Sequence, residues 1–152
     1  MDMGRLKDQI KSDEGYRDSI YLDHLGNRTV GYGHLVNSKD WFRDEKVGFR
    51  LSQKDIDALL LDDLGSARRD CELLFNDFND LPGEVKLICA NMAFQLGVNR
   101  LGTFKKMIKA VNERDYQTAS VEMLDSKWAK QQTPERAKRL ADRMAAIDEQ
   151  TA

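Results

Sequence analysis

Glu14, Asp23 and Thr29 form a series of two carboxylates and a hydroxyl, with spacings of nine and then six residues. This is the set that hydrolysis of a glycosidic bond requires. One carboxylic acid protonates the leaving oxygen, a second carboxylate handles the water or the developing cation, and a small hydroxyl can hold the water in line. Each member alone is ordinary. Acidic residues number 26 in this chain of 152, and threonine is a common strand residue. Only the combination makes a chemical proposal. Other chemistries fit less well. His24 beside Asp23 suggests a Ser-His-Asp hydrolase, but no GxSxG elbow accompanies it. His34 lacks further ligands at metal-binding spacing, so no metal is expected. It is read instead as a structural ion-pair partner for Asp63.

The elements that must position these groups can be read from periodicity. Met3, Leu6 and Ile10 at helical spacing predict a short opening helix ending near Asp13, which puts Glu14 at a helix end. From Tyr16 the pattern alternates: Ile20 and Leu22 in one strand, Leu25-Gly26-Asn27 as a turn, and Thr29 to Tyr32 as the returning strand. Asp23 and Thr29 then flank the hairpin turn. Tyr16, Tyr21 and Tyr32 can shield the Glu14 carboxyl and raise its proton affinity, whereas a better solvated Asp23 stays ionised. Residues 35–51 read as irregular, with Trp41, Phe42 and Phe49 as packing residues. Ser52 to Asp55 has capping-box form ahead of Ile56, Leu59, Leu60 and Leu64, predicting a helix from Ser52 to about Arg69. Leu81-Pro82-Gly83 opens another helix, closed by Gly97, with Val85, Ile88, Cys89, Met92 and Leu96 on its buried face. Thr103, Asp115 and Thr133 read as N-caps of later helices, with Pro134 in the last one's first turn.

The predicted fold is α+β and predominantly α. A small β-hairpin lobe spans about residues 14–51, a connecting helix about 52–70, and a helical lobe about 71–152 together with an N-terminal helix over 1–12. One domain is the size prior for this length. The net charge of −2 divides unevenly, with −5 over residues 1–99 and +3 over 100–152. The basic part can favour an anionic polymer or simply be a solvated helical surface. Cys71 and Cys89 lack CxxC spacing and are read as free structural thiols, which suits a reducing cytoplasm. The stretch from Met1 to Lys11 is polar and amphipathic and does not read as a signal peptide, and no apolar run reaches membrane-spanning length. Any extracellular target is therefore expected to be reached by another route.

Asp13-Glu14-Gly15, Asp23, the run from Thr29 to His34, the run from Asn91 to Gly97, and Gln132-Thr133-Pro134 with Arg136 to Arg139 together resemble the T-even bacteriophage lysozyme family. The resemblance spans nearly the whole chain with its blocks in order. It implies a phage endolysin, a muramidase that cuts the β-1,4 bond between N-acetylmuramic acid and N-acetylglucosamine in a cleft between a hairpin lobe and a helical lobe. By position, Glu14 is the general acid, Asp23 the second carboxylate and Thr29 the residue that places the attacking water, with inversion at the anomeric carbon. Leu35 and Phe94 match sugar-contacting positions. Arg136 matches an arginine that approaches the catalytic glutamate, and His34 and Gln95 stand as supporting residues.

The resemblance further implies a monomer without a cofactor, acting on peptidoglycan glycan strands, with neither nucleic acid nor stable membrane insertion involved. Synthesis is expected in the host cytoplasm, with access to the wall in the periplasm depending on a holin. Two sugar-contacting positions of the family, a serine and an asparagine, are Met107 and Glu122 here, and the segment between His34 and the long helix is shorter. Three rival readings remain: a lytic transglycosylase, which Asp23 and Thr29 argue against; a non-catalytic wall-binding protein of the same fold; and a helical nucleic-acid-binding protein, for which no recognition motif is present.

Overall fold

The computed structural model describes residues 1–147. Its secondary structure is α+β and predominantly helical, with six α-helices and one small antiparallel sheet among the described residues. The chain divides into two compact units, Lys7–Gly65 and Met1–Leu6 with the residues from Ser66 onward.

In the first unit, the part of helix α1 (Met3–Glu14) from Lys7 onward leads into strands β1 (Arg17–Leu22), β2 (Arg28–Gly31) and β3 (His34–Leu35). Strand order follows chain order. The third strand was not expected from sequence, because two residues are too few to establish an alternating pattern. It pairs Leu35 with Thr29 and His34 with Val30. One core lies beneath the sheet: Ile20, Val30, Phe42, Leu51 and Ile56 are buried, with Tyr32, Val36, Phe49 and Leu59 packed against them. Residues 36–52 are irregular, as their composition predicts, apart from a single β-bridge between Arg50 and Ser19, and Phe42 anchors them by burying its ring.

Helix α2 (Gln53–Leu74) opens where Ser52 Oγ accepts the Asp55 N–H at 3.1 Å. It runs past the expected end at Arg69. The reason is a continuous buried stripe, Ile56, Leu60, Leu64, Ala67 and Cys71, at three- and four-residue steps. Gly65-Ser66 and the charged Arg68, Arg69 and Asp70 obscure that stripe in the sequence.

The second unit contains α3 (Gly83–Leu101), α4 (Lys105–Asn112), α5 (Tyr116–Leu124) and α6 (Pro134–Ala145). Pro82 precedes the first helical residue of α3, and the predicted buried face of Val85, Ile88, Cys89, Met92 and Leu96 is buried. Gly97 ends the first helical run at φ 78° and ψ 166°, a conformation that residues with a Cβ rarely adopt. A short second run then carries the chain to Leu101. Helix α6 packs against α3 and α5, burying Ala137, Leu140, Ala141 and Met144.

One of the three expected caps needs correction, and another stands in place without a capping bond. Asp115 does cap α5 by accepting the Thr118 N–H at 3.1 Å. Phe104, however, occupies the cap position of α4, because Thr103 turns its hydroxyl back to donate to Arg100 O at 2.6 Å. Thr133 stands at the cap of α6 but makes no capping bond; its hydroxyl accepts instead from Gln95. Among the described residues, no helix is long and apolar enough to cross a membrane.

Candidate active site

Glu14 is the last residue of α1, half-buried, and its carboxyl lies against the main chain of Gly33. A methyl group on Gly33 would stand 2.9 Å from Glu14 Oε2 and 3.3 Å from Cδ. Gly33 also has φ +74°. Both facts demand glycine, since an L-residue would be strained in this region and would displace the carboxyl.

Asp23 closes the β1–β2 turn. Its Oδ1 accepts the N–H of Leu25 at 2.9 Å and of Asn27 at 2.8 Å. The Asn27 N–H chiefly holds the carboxyl below its ordinary proton affinity against the opposing effect of burial, helped by the Leu25 N–H, the Asn27 side chain and nearby His24. Asp23 is thereby kept ionised at neutral pH. Asn27 also accepts through its carbonyl, from Asp23 N at 2.9 Å and from the Thr29 hydroxyl at 3.0 Å. One residue therefore ties the carboxylate to the threonine. Thr29 is buried, and with its hydrogen donated to Asn27 its hydroxyl oxygen keeps lone pairs to accept from another donor.

Tyr21 links this group to Glu14. It pairs with Thr29 across the strands, and the Arg17 guanidinium lies 4.4 Å over its ring. Burial pushes the Tyr21 phenol up, Arg17 opposes, and the negative charges of Glu14 and Asp23 push it further up. Tyr21 thus lies within electrostatic reach of both carboxylates. Tyr16 points elsewhere, donating its hydroxyl to Gln53 Oε1 at 2.7 Å.

His34 is the pivot of a buried ion cluster. Its Nδ1 donates to Asp63 at 2.7 Å, as the sequence leads one to expect, and its Nε2 donates to Asp40 at 2.8 Å. Two carboxylate partners require both ring nitrogens to carry hydrogen, so the ring is an imidazolium. Burial opposes the charge, but Asp63 and Asp40 outweigh it and raise the pKa from 6.5 to about 9.

Of the other candidates, Leu35 is 52% exposed beside Thr29 in the sheet. In the second unit, Phe94 is half-buried on α3, and the next residue, Gln95, holds two elements together. Its Oε1 accepts from Trp128 Nε1 at 2.9 Å, and its Nε2 donates to Thr133 Oγ1 at 3.1 Å. Trp128 and Thr133 sit at the two ends of a π-helical turn, Trp128–Gln132, closed by the Thr133 N–H on Trp128 O at 2.9 Å. Arg136 is buried, and its Nε donates to Asn91 Oδ1 at 2.9 Å. Met107 and Glu122 line a groove of about 540 Å³, whose mixed-charge rim includes Arg100, Lys105, Lys106, Lys127 and Asp125.

A family model described as phage lysozyme matches residues 11–146, from before Glu14 to beyond Arg136. The chain belongs to the phage lysozyme family. Relatives of this lysozyme include Probable T4-type lysozyme 1 of Dictyostelium discoideum, 32% identical, with the match covering 89% of this chain and 90% of that one. The Pre-baseplate central spike protein Gp5 of Enterobacteria phage T4 is 29% identical over 89% of this chain and 26% of its own. An Endolysin of Acyrthosiphon pisum secondary endosymbiont phage 1 is 29% identical over 80% of this chain and 75% of its own. The family makes this chain a glycoside hydrolase of the lysozyme kind.

In this lysozyme the structure sets Glu14 at the end of α1, Asp23 in the β1–β2 turn, and Thr29, Leu35 and His34 in one three-stranded sheet. Sequence reasoning missed Asp40, one acid among many in a turn-rich segment with no pattern to mark it. It also missed the seat that Gly33 gives Glu14. The two closely spaced glycines, Gly31 and Gly33, were the signal for close backbone approach there. Among the described residues, no group of three His, Cys, Asp or Glu side chains is arranged to hold a metal ion.

Proposed function

We propose that this protein is a muramidase that hydrolyses the β-1,4 bond between N-acetylmuramic acid and N-acetylglucosamine in bacterial peptidoglycan. The observation that carries the reading is the tie made by Asn27 between an ionised Asp23 and the Thr29 hydroxyl, on the same hairpin system that seats Glu14. Glu14 protonates the glycosidic oxygen as the bond breaks. Thr29 accepts a hydrogen bond from the water proton that stays on the new hydroxyl, which turns a water lone pair outward, and Asp23 takes the other proton as the water oxygen bonds to the anomeric carbon, its charge also balancing the cationic sugar. Water entering opposite the leaving group inverts the anomeric carbon. Leu35, beside Thr29 in the sheet, and Phe94, on α3, contact sugar rings, while Gln95 and Arg136 fasten α3 to the elements that follow it.

Family and names support the cell-wall reading: another relative is the Peptidoglycan hydrolase gp36 of Pseudomonas phage phiKMV, 26% identical over 95% of this chain and 15% of its own. We further assign the protein to host lysis as a monomeric endolysin without a cofactor, made in the host cytoplasm and passed to the wall by a holin. Digestion of purified peptidoglycan with mass spectrometry of the new ends tests the chemistry. Reducing muramic acid ends are expected, and Glu14→Gln should lower the rate on the order of 10²–10⁴-fold. Anhydro ends would identify a transglycosylase, no ends would favour a wall-binding protein, and an active Glu14→Gln would remove Glu14 from the mechanism.

A further inference from the structure

The imidazolium of His34 is held from two sides by elements distant in sequence: Asp63 on α2 and Asp40 in the segment that follows the sheet. Asp40 is the less expected partner. It is buried, and its Oδ2 accepts the Asn37 N–H at 2.9 Å in addition to the His34 ring hydrogen. The Phe42 ring stands at 64° to the imidazole with ring centroids 6.3 Å apart. Burying a carboxylate costs several kcal/mol unless charged and hydrogen-bonding partners compensate. Asp40 therefore sits where it does as part of a complete cluster, not as a surface acid.

What the cluster holds is the end of the hairpin. Strand β3 has two residues, and its ladder to β2 has two paired positions, too little to fix a strand end firmly. His34 begins that strand, and the residue before it is Gly33, the seat of the Glu14 carboxyl. Successive Cα atoms are about 3.8 Å apart, so any shift of the His34 main chain that follows from losing the imidazole anchor is passed to the seat.

We propose that Asp40, acting through His34 and Gly33, is a positioning residue for the general acid, so that its charge sets the turnover rate as well as stability. This rests on the assignment of Glu14 as the acid of a muramidase. A misplacement of about 1 Å in a reacting group can cost on the order of 100-fold in rate. Asp40→Asn keeps the shape but replaces a charge-assisted hydrogen bond with a weaker one. It should lower kcat on soluble glycan strands by on the order of tenfold with KM little changed, at a temperature where circular dichroism shows the fold intact. Asp40→Ala should lower it further.

Two readouts separate positioning from simple destabilisation. The chain has two histidines, His24 and His34, so ring ¹⁵N resonances report His34 directly, and its imidazolium should deprotonate at lower pH in Asp40→Asn than in the wild type. Gly33→Ala displaces the carboxyl by itself, so Asp40→Asn should have little further effect on kcat in that background. Full kcat in folded Asp40→Asn, or effects of the two substitutions that multiply independently, would overturn the positioning role while leaving the muramidase reading intact. A wild type that releases no glycan ends would overturn both.

Discussion

Replacing His34 with asparagine should cost stability that depends on pH in a defined direction. The folded imidazole titrates at about 9 against 6.5 without partners. At about 1.4 kcal/mol per pH unit, this gap amounts to about 3 kcal/mol of folding free energy. Because the folded pKa is the higher one, the contribution is complete below pH 6.5, declines between 6.5 and 9 as the unfolded chain alone releases its proton, and is gone above 9. His34→Asn removes the cation at every pH. Wild type and variant should therefore differ by about 3 kcal/mol at pH 6, or ~6–12 °C in Tm for a chain of this size. They should converge near pH 10, where the wild-type ring is also neutral and Asp40 and Asp63 lack a cation in both proteins. Thermal unfolding followed by circular dichroism from pH 6 to 10 measures this. A difference that stays constant over the range would refute the ion-pair account and leave packing of the ring as the cause.

Trp128→Phe should destabilise by about 1–3 kcal/mol in denaturant unfolding, because Gln95 Oε1 loses its indole donor inside the protein. Adding Gln95→Leu should then cost less than its effect in the wild type. Cys71 and Cys89 are both buried, and burial pushes both thiols well above their usual range. The folded protein should resist iodoacetamide at neutral pH, with mass spectrometry showing two alkylations only after denaturation.

Much of the fold was legible because the signals were local and repeated. The buried face of α3 and the turn at Leu25-Gly26-Asn27 follow from periodicity and turn chemistry. The end of α2 was less visible, since charged residues mask the stripe through Ala67 and Cys71 that prolongs it. Thr103 and Thr133 have the form of caps, but a nearby carbonyl and a distant amide claimed their hydroxyls. The candidate site divides in the same way. Glu14, Asp23 and Thr29 were recognisable from residue type and spacing, and the Asp63 partner of His34 from charge. Asp40 and the Gly33 seat depend on how the chain folds back on itself, and no interval in the sequence encodes that.

The π-helical turn has a consequence for chain length. In an α-helix, residues five apart point about 140° away from each other; closing the turn from residue i to i+5 brings them over one another. That alignment lets Trp128 and Thr133 share the single amide of Gln95. Removing one residue between them, at Lys130 or Gln131, would leave them four apart, about 40° from one another on one face of an ordinary α-turn, so both side chains should still reach Gln95. The extra residue is absorbed by the wider turn, so a single deletion should be tolerated here, whereas in the middle of an α-helix it would turn everything downstream by about 100°.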